Sequence, residues 1–155
     1  MAKTEEQHRD DYLKKTYGIS LDEHNKLLES QGGLCGICRE QRKEGAKNFA
    51  VDHDHKALYF RIDSKKENGI WTALLSTEQD EDCYCAPSYY MRATMHSGKT
   101  KSEAIRSLRK ELKRLSVRGL LCFKCNTLLR KLYDSARIAH NASIYLARHQ
   151  TEGVL

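Results

Sequence analysis

Two cysteine pairs of identical spacing, Cys35-Gly-Ile-Cys38 and Cys122-Phe-Lys-Cys125, carry the clearest chemistry in this 155-residue chain. The short turn inside such a pair points both sulfurs the same way, so each pair can give two thiolates to one tetrahedral ion. Together Cys35, Cys38, Cys122 and Cys125 complete a four-cysteine zinc site. With every position filled by protein, that zinc is structural rather than catalytic. The gap between the pairs is far longer than the roughly 12–20 residues usual between such pairs, which is explained if 58–115 is an insertion. The competing reading is two buried or redox-active dithiols. Cys83 and Cys85 have no evident partners and read as ordinary thiols rather than a second metal site.

Between the pairs lies Asp52-His53-Asp54-His55, just after a short strand-like run, Phe49-Ala50-Val51. Hydrolysing a phosphodiester needs an activated water, charge neutralisation on the phosphate and a stabilised leaving oxygen. A divalent ion on oxygen ligands supplies the last two, and a histidine neutral near pH 7 supplies the first. Asp52 and Asn126 are hard oxygen donors suited to Mg²⁺, and His53 is the candidate base. A zinc core could bring them together, because Asn126 directly follows Cys125. Alone, the Asp-His-Asp-His run could equally be a surface metal-binding patch or a capping cluster. Framed by two cysteine pairs and Asn126, it reads as a cutting site.

The elements that must position these residues are legible in outline. A charged first helix is expected over 4–16. Ser20 and Glu23 form a capping box for a second helix with Leu21, Leu27 and Leu28 on its apolar face, ended by Gly32 and Gly33. Val117 to Leu121 reads as a strand entering the second cysteine pair. Leu128, Leu129, Leu132 and Tyr133 have helical spacing, and a last helix is expected over about 135–149. The 58–115 segment differs in character. Leu58 to Ile62 and Ile70 to Leu75 read as strands around an Asn68-Gly69 turn, with a third extended stretch within 83–94. Thr100 and Glu103 then cap a helix with a basic outer face of Lys101, Arg106, Arg109, Lys110, Lys113 and Arg114.

A formal charge of +6 and a pI near 9.0 favour a polyanionic partner, most often nucleic acid. No apolar run approaches the ~18 residues of a membrane span, and the N-terminus lacks a signal-peptide core. The expectation is a cytoplasmic protein without a membrane partner, its cysteines serving metal rather than disulfides.

The stretches YGISLDEHNKLLESQGGLCGIC, AVDHDH and VRGLLCFKCN, in that order, resemble the phage recombination endonuclease VII family of HNH nucleases. The likeness spans about 17–57 and 116–149, a little under half the chain. It implies an α+β fold with a zinc-braced ββα-metal core, flanking helices and an inserted three-strand-plus-helix module. It also implies a Mg²⁺-dependent DNA endonuclease. Founding members resolve branched DNA as intertwined dimers, so DNA, branched or site-specific, and a homodimer are the implied partners. By position, Asp52 and Asn126 would hold Mg²⁺, His53 would activate water, and His55 would shape the site or contact phosphate. Arg118 would contact the DNA backbone or brace its strand. One departure bears on substrate: the junction-resolving member has a glutamate three positions after the asparagine, where this chain has Leu129. A homing-type or nicking nuclease, or a catalytically silent zinc-stabilised DNA-binding protein, are the alternatives.

The domain reading is therefore 1–57 with 116–155 as one discontinuous nuclease-like domain, and 58–115 as a basic insertion. Gly69-Ile70-Trp71-Thr72-Ala73 with the basic helix after it is similar to the three-stranded DNA-binding modules of integrases. That likeness makes Trp71 and the six basic helix residues candidate DNA contacts. The plain alternative is a decorated loop with Trp71 in its core.

Overall fold

The structure, a computed structural model, describes residues 3–76 and 95–151. Helix α1 (Glu5–Tyr17) and helix α2 (Leu21–Ser30) each begin with a reciprocal capping box, Thr4 with Gln7 and Ser20 with Glu23. Asp10 Oδ1 accepts from the Leu21 backbone N–H at 2.8 Å and ties the two helices. Between them Gly18 has φ +75°, and a Cβ there would stand 2.9 Å from the Lys110 carbonyl oxygen. Glycine is thus required twice, for the left-handed backbone and for a close approach.

Strand β1 (Ala50–His53) carries Asp52 and His53 within the strand rather than after it, as the sequence suggested. The expected strand over Leu58–Ile62 is instead a 3-10 turn, His55–Tyr59. Ala57 within this turn and Phe60 just after it are buried at a spacing of three, which suits a three-residue turn and not strand alternation. Strands β2 (Ile62–Glu67) and β3 (Ile70–Leu75) then pair antiparallel. Asn68 and Gly69, both at positive φ, make the tight turn between them. The extended stretch expected within 83–94 lies outside the described residues, as do Cys83 and Cys85. The third strand among the described residues is β4 (His96–Gly98), paired with β3.

Helix α3 (Lys101–Leu115) lays Ala104, Leu108 and Leu112 against this sheet. Ala57, Phe60, Ala73, Leu75 and these three form one apolar core. Strand β5 (Val117–Leu121) returns beside β1 in an antiparallel two-stranded sheet. The Asp54 N–H donates to the Ser116 carbonyl at 2.8 Å, so the chain leaves and rejoins this sheet at one point. Helices α4 (Phe123–Lys131) and α5 (Ala136–Thr151) complete a mixed α+β chain. Among the described residues no helix is long and apolar enough to cross a membrane.

Candidate active site and metal centre

The four cysteines converge. Cys35 and Cys38 come from the turns after α2, while Cys122 caps α4 and Cys125 lies in its first turn. Their sulfurs all fall within 4.8 Å of one another, and Cys38 Sγ is 3.9 Å from Cys122 Sγ. Tetrahedral zinc with ~2.3 Å bonds to sulfur separates its ligands by about 3.8 Å, so the cluster fits that ion. Burial pushes the Cys35 thiol up, but the backbone N–H groups of Cys122, Ile37 and Cys38 outweigh it and bring it down to about 6. Burial, then its thiol neighbours, push Cys125 up to about 12. Thiols this crowded cannot all ionise without a cation among them.

Gln31, at the end of α2, joins this cluster to the sheet. Its Nε2 donates to the carbonyls of Leu34 and Leu120, both at 2.9 Å, and its Oε1 accepts from the Leu120 N–H at 2.8 Å. One side chain therefore satisfies both backbone groups of Leu120 as a neighbouring strand would. Sequence reading gave Gln31 no role.

Register along the sheet breaks at the candidate site. Asp52 faces Gly119, while His53 faces Val117, which leaves Arg118 as the extra residue of a bulge. Bulges re-aim side chains, and this one turns the Arg118 guanidinium onto Asp52. Its Nε and Nη2 donate to the two carboxylate oxygens at 2.8 and 2.9 Å. Asp52 is only 9% exposed. The same Nη2 also donates to Asp134 Oδ1 at 2.9 Å. Burial would lower the Arg118 pKa, but the two carboxylates more than offset that and raise it. Asp134 was missed in the sequence, where it looks like any polar residue in the turn after a helix.

His53 is half-buried, with its ring edge-on to Tyr17 at 5.3 Å and 4.2 Å from the His55 ring. Burial lowers its pKa, and the charge of a protonated His55 lowers it further; a hydrogen bond from the ring to the Val51 carbonyl opposes both. That bond occupies one ring nitrogen and leaves the other to accept a proton.

Asp52, His55, Asn126 and Asp134 line one cavity of about 250 Å³, with Leu129 and Arg130 on its wall. His53 is not among the lining residues. Two carboxylates and an amide on one cavity form a hard-oxygen donor set that fits a divalent cation such as Mg²⁺.

The remaining candidates are dispersed. Arg114 is held by Glu23 and Glu111 at 3.0 and 3.2 Å, and Lys113 donates to the Lys15 carbonyl at 3.4 Å. Both fasten α3 to the N-terminal helices. Arg109 is half-buried, whereas Arg106 and Lys110 are exposed. Trp71 shares its sheet face with buried Ala73 and Leu75, packs against the apolar core, and has the Lys101 ammonium 5.8 Å from its ring centroid. The opposite face of β2 carries Asp63, Lys65 and Glu67 in local ion pairs, and so has no basic excess.

The sequence model of the recombination endonuclease VII family matches residues 10–148. The Gene 59 protein of Mycobacterium phage L5 is 55% identical over 42 residues, which are 26% of this chain and 24% of that protein. The Gene 59 protein of Mycobacterium phage D29 is 52% identical over the same length and shares. The chain thus spans about a quarter of the length of these relatives. No solved structure matches it.

Proposed function

The chain belongs to the recombination endonuclease VII family, and from that premise we propose that it is a Mg²⁺-dependent DNA endonuclease of the HNH type acting in the host cytoplasm. The β1–β5 ribbon with α4 is read as its ββα-metal core, and the cysteine cluster as the structural zinc that sets Asn126 beside Asp52. The supporting observation is that Asp52, His55 and Asn126 share one cavity while His53 stands next to Asp52 on the same strand.

In this reading Asp52 and Asn126 hold the divalent ion, which when bound neutralises phosphate charge and stabilises the leaving oxygen. His53 acts as general base. Its lowered pKa keeps it neutral at pH 7, and its carbonyl-anchored ring presents one acceptor nitrogen to a water. His55, exposed at the cavity mouth, contacts phosphate. The module built on β2, β3, β4 and α3 adds backbone contacts through Arg106 and Lys110, which α3 leaves exposed. Leu129 on the cavity wall favours nicking or site-directed cutting over junction resolution. The exposed Ile144 and Leu146 of α5 suit a second copy of the chain.

The bidentate hold of Arg118 on Asp52 favours one competing reading, a zinc-stabilised DNA-binding protein without catalysis. Cleavage of supercoiled plasmid with Mg²⁺ decides between them. Active protein should lose ~10²–10⁴-fold in rate on His53→Ala with DNA binding retained. An inert wild type, or a fully active His53→Ala, would sink the proposal. Junction, flap and linear substrates compared side by side then identify the preferred DNA.

A further inference from the structure

Arg118 poses a charge problem for the site just proposed. Asp52 is the carboxylate assigned to the divalent ion, yet the guanidinium already holds both its oxygens, at 2.8 and 2.9 Å. A carboxylate matched by a bidentate guanidinium is neutral as a pair. A neutral pair offers a dication little. Helix α4 brings no second negative charge: Leu129, one turn beyond Asn126, gives the cavity only hydrocarbon, and Arg130 beside it adds a cation to the wall.

Asp134 answers the problem from the turn after α4. Its Oδ1 accepts from the guanidinium nitrogen that Asp52 also uses, at 2.9 Å. Its side chain is 23% exposed and lines the same cavity as Asp52 and Asn126. The placement is held by backbone. Tyr133 and Asp134 both take the left-handed conformation, at φ 54° and 52°, and the Asp134 N–H donates to the Leu129 carbonyl at 3.0 Å. Two successive non-glycine residues in that region are uncommon and mark an over-determined turn. Asp52, Arg118 and Asp134 together carry one net negative charge on a cavity that Asn126 also lines, and without Asp134 the Arg130 cation on the same wall would leave it net positive.

We propose that Asp134 is the second carboxylate of the divalent-ion site. It supplies the charge that Arg118 removes from Asp52, and it acts on the ion itself as well as steadying Arg118. The proposal rests on the metal-dependent reading above and deepens it.

The test measures Mn²⁺ affinity of the zinc-loaded full chain by electron paramagnetic resonance, without DNA, so that cleavage is not the readout. Asp134→Asn keeps an acceptor for Arg118 and removes only the charge. Asp134→Gly repeats the test with a residue suited to the left-handed backbone. Each should weaken Mn²⁺ about 10–100-fold, with zinc content unchanged. The weakening should persist when Arg118→Met is present, since a residue that only props Arg118 would have nothing left to prop. Unchanged affinity, or an effect that vanishes in the Arg118→Met background, overturns the proposal. Asp52→Asn separates it from the reading beneath it. If Asp52→Asn leaves Mn²⁺ affinity intact, the ion site itself is misassigned and this proposal falls with it. If Asp52→Asn abolishes binding while Asp134→Asn does not, only Asp134 is misassigned.

Discussion

The β1–β5 ribbon and the β2–β3–β4 sheet are both small antiparallel sheets with a helix against them, but they are held by different forces. The three-stranded sheet has a conventional core, in which Phe60, Ala73, Leu75, Ala104, Leu108 and Leu112 bury one another. The ribbon has Val51 and Leu120 packed with Leu13 and Ile19 of the N-terminal segment, and Leu121 packed with two thiols. A two-stranded ribbon is marginal by itself. Its remaining ties are polar or come from a cluster able to hold a metal: the four cysteines, Gln31 on Leu120, and Arg118 on Asp52 and Asp134. This division suits a site that must keep buried polar groups at fixed positions, since a cluster of thiolates on zinc fixes geometry without needing apolar volume.

The largest effect should come from zinc. Structural zinc carries on the order of 10 kcal/mol of folding free energy, so chelation or Cys122→Ser should melt the ribbon. Amide exchange would then lose protection at Val51 and Leu120 while the β2–β3 ladder and α3 keep theirs. Uniform loss across both sheets would show one cooperative unit and dissolve the distinction. The converse substitution acts on the other region. Leu108 is fully buried, so Leu108→Ala should cost about 2–5 kcal/mol in denaturant unfolding. Zinc stoichiometry should stay at one per chain, and a drop would mean that the module's packing also supports the cysteines.

Gln31→Ala should cost less, roughly 1–3 kcal/mol, the penalty for leaving the buried Leu120 N–H without its acceptor, while the Leu120 carbonyl keeps the Gly36 N–H. The loss should appear in the ribbon and leave the Leu108 core unchanged. Gln31→Glu, which keeps the acceptor and loses the donor, should fall between.

Legibility from sequence follows the range of the interaction. The capping boxes at Ser20–Glu23 and Thr100–Glu103 and the Asn68-Gly69 turn are local, written in residues three apart or fewer, and they form as expected. The four cysteines also come together as expected, because their spacing is itself a chemical signature. What could not be read depends on contacts distant in the chain. Gln31 reaches Leu120 across 89 positions, and the bulge that aims Arg118 at Asp52 leaves no mark in composition. Trp71 falls in line with Ala73 and Leu75 by strand alternation, and what sequence alone left open is that this face, rather than the other, meets α3. Asp134 depends on a left-handed turn that any polar residue at a helix end would suggest equally.

The smallest predicted effect concerns His24, which lies in the ribbon's half of the molecule and is 4% exposed. Burial lowers its pKa below the ordinary histidine value, a hydrogen bond with Asn25 raises it, and the nearby Arg9 charge lowers it again. The folded protein therefore prefers the neutral imidazole. Above about pH 6.5, the unperturbed value, folded and unfolded chains both hold it neutral and nothing is lost. As pH falls below that value the unfolded chain takes up the proton first, and stability declines until the folded pKa is reached. The thiolates of a zinc site respond to acid in the same direction. The informative quantity is thus the difference between wild type and His24→Gln. Melting temperatures taken from pH 7.5 to 5.5 should fall more steeply for wild type. Exchange protection lost in that range should be at α2 and the ribbon, with α3 unaffected. Parallel curves for the two proteins would show that His24 is solvated enough to titrate alike in both states, and would remove it from the ribbon's account.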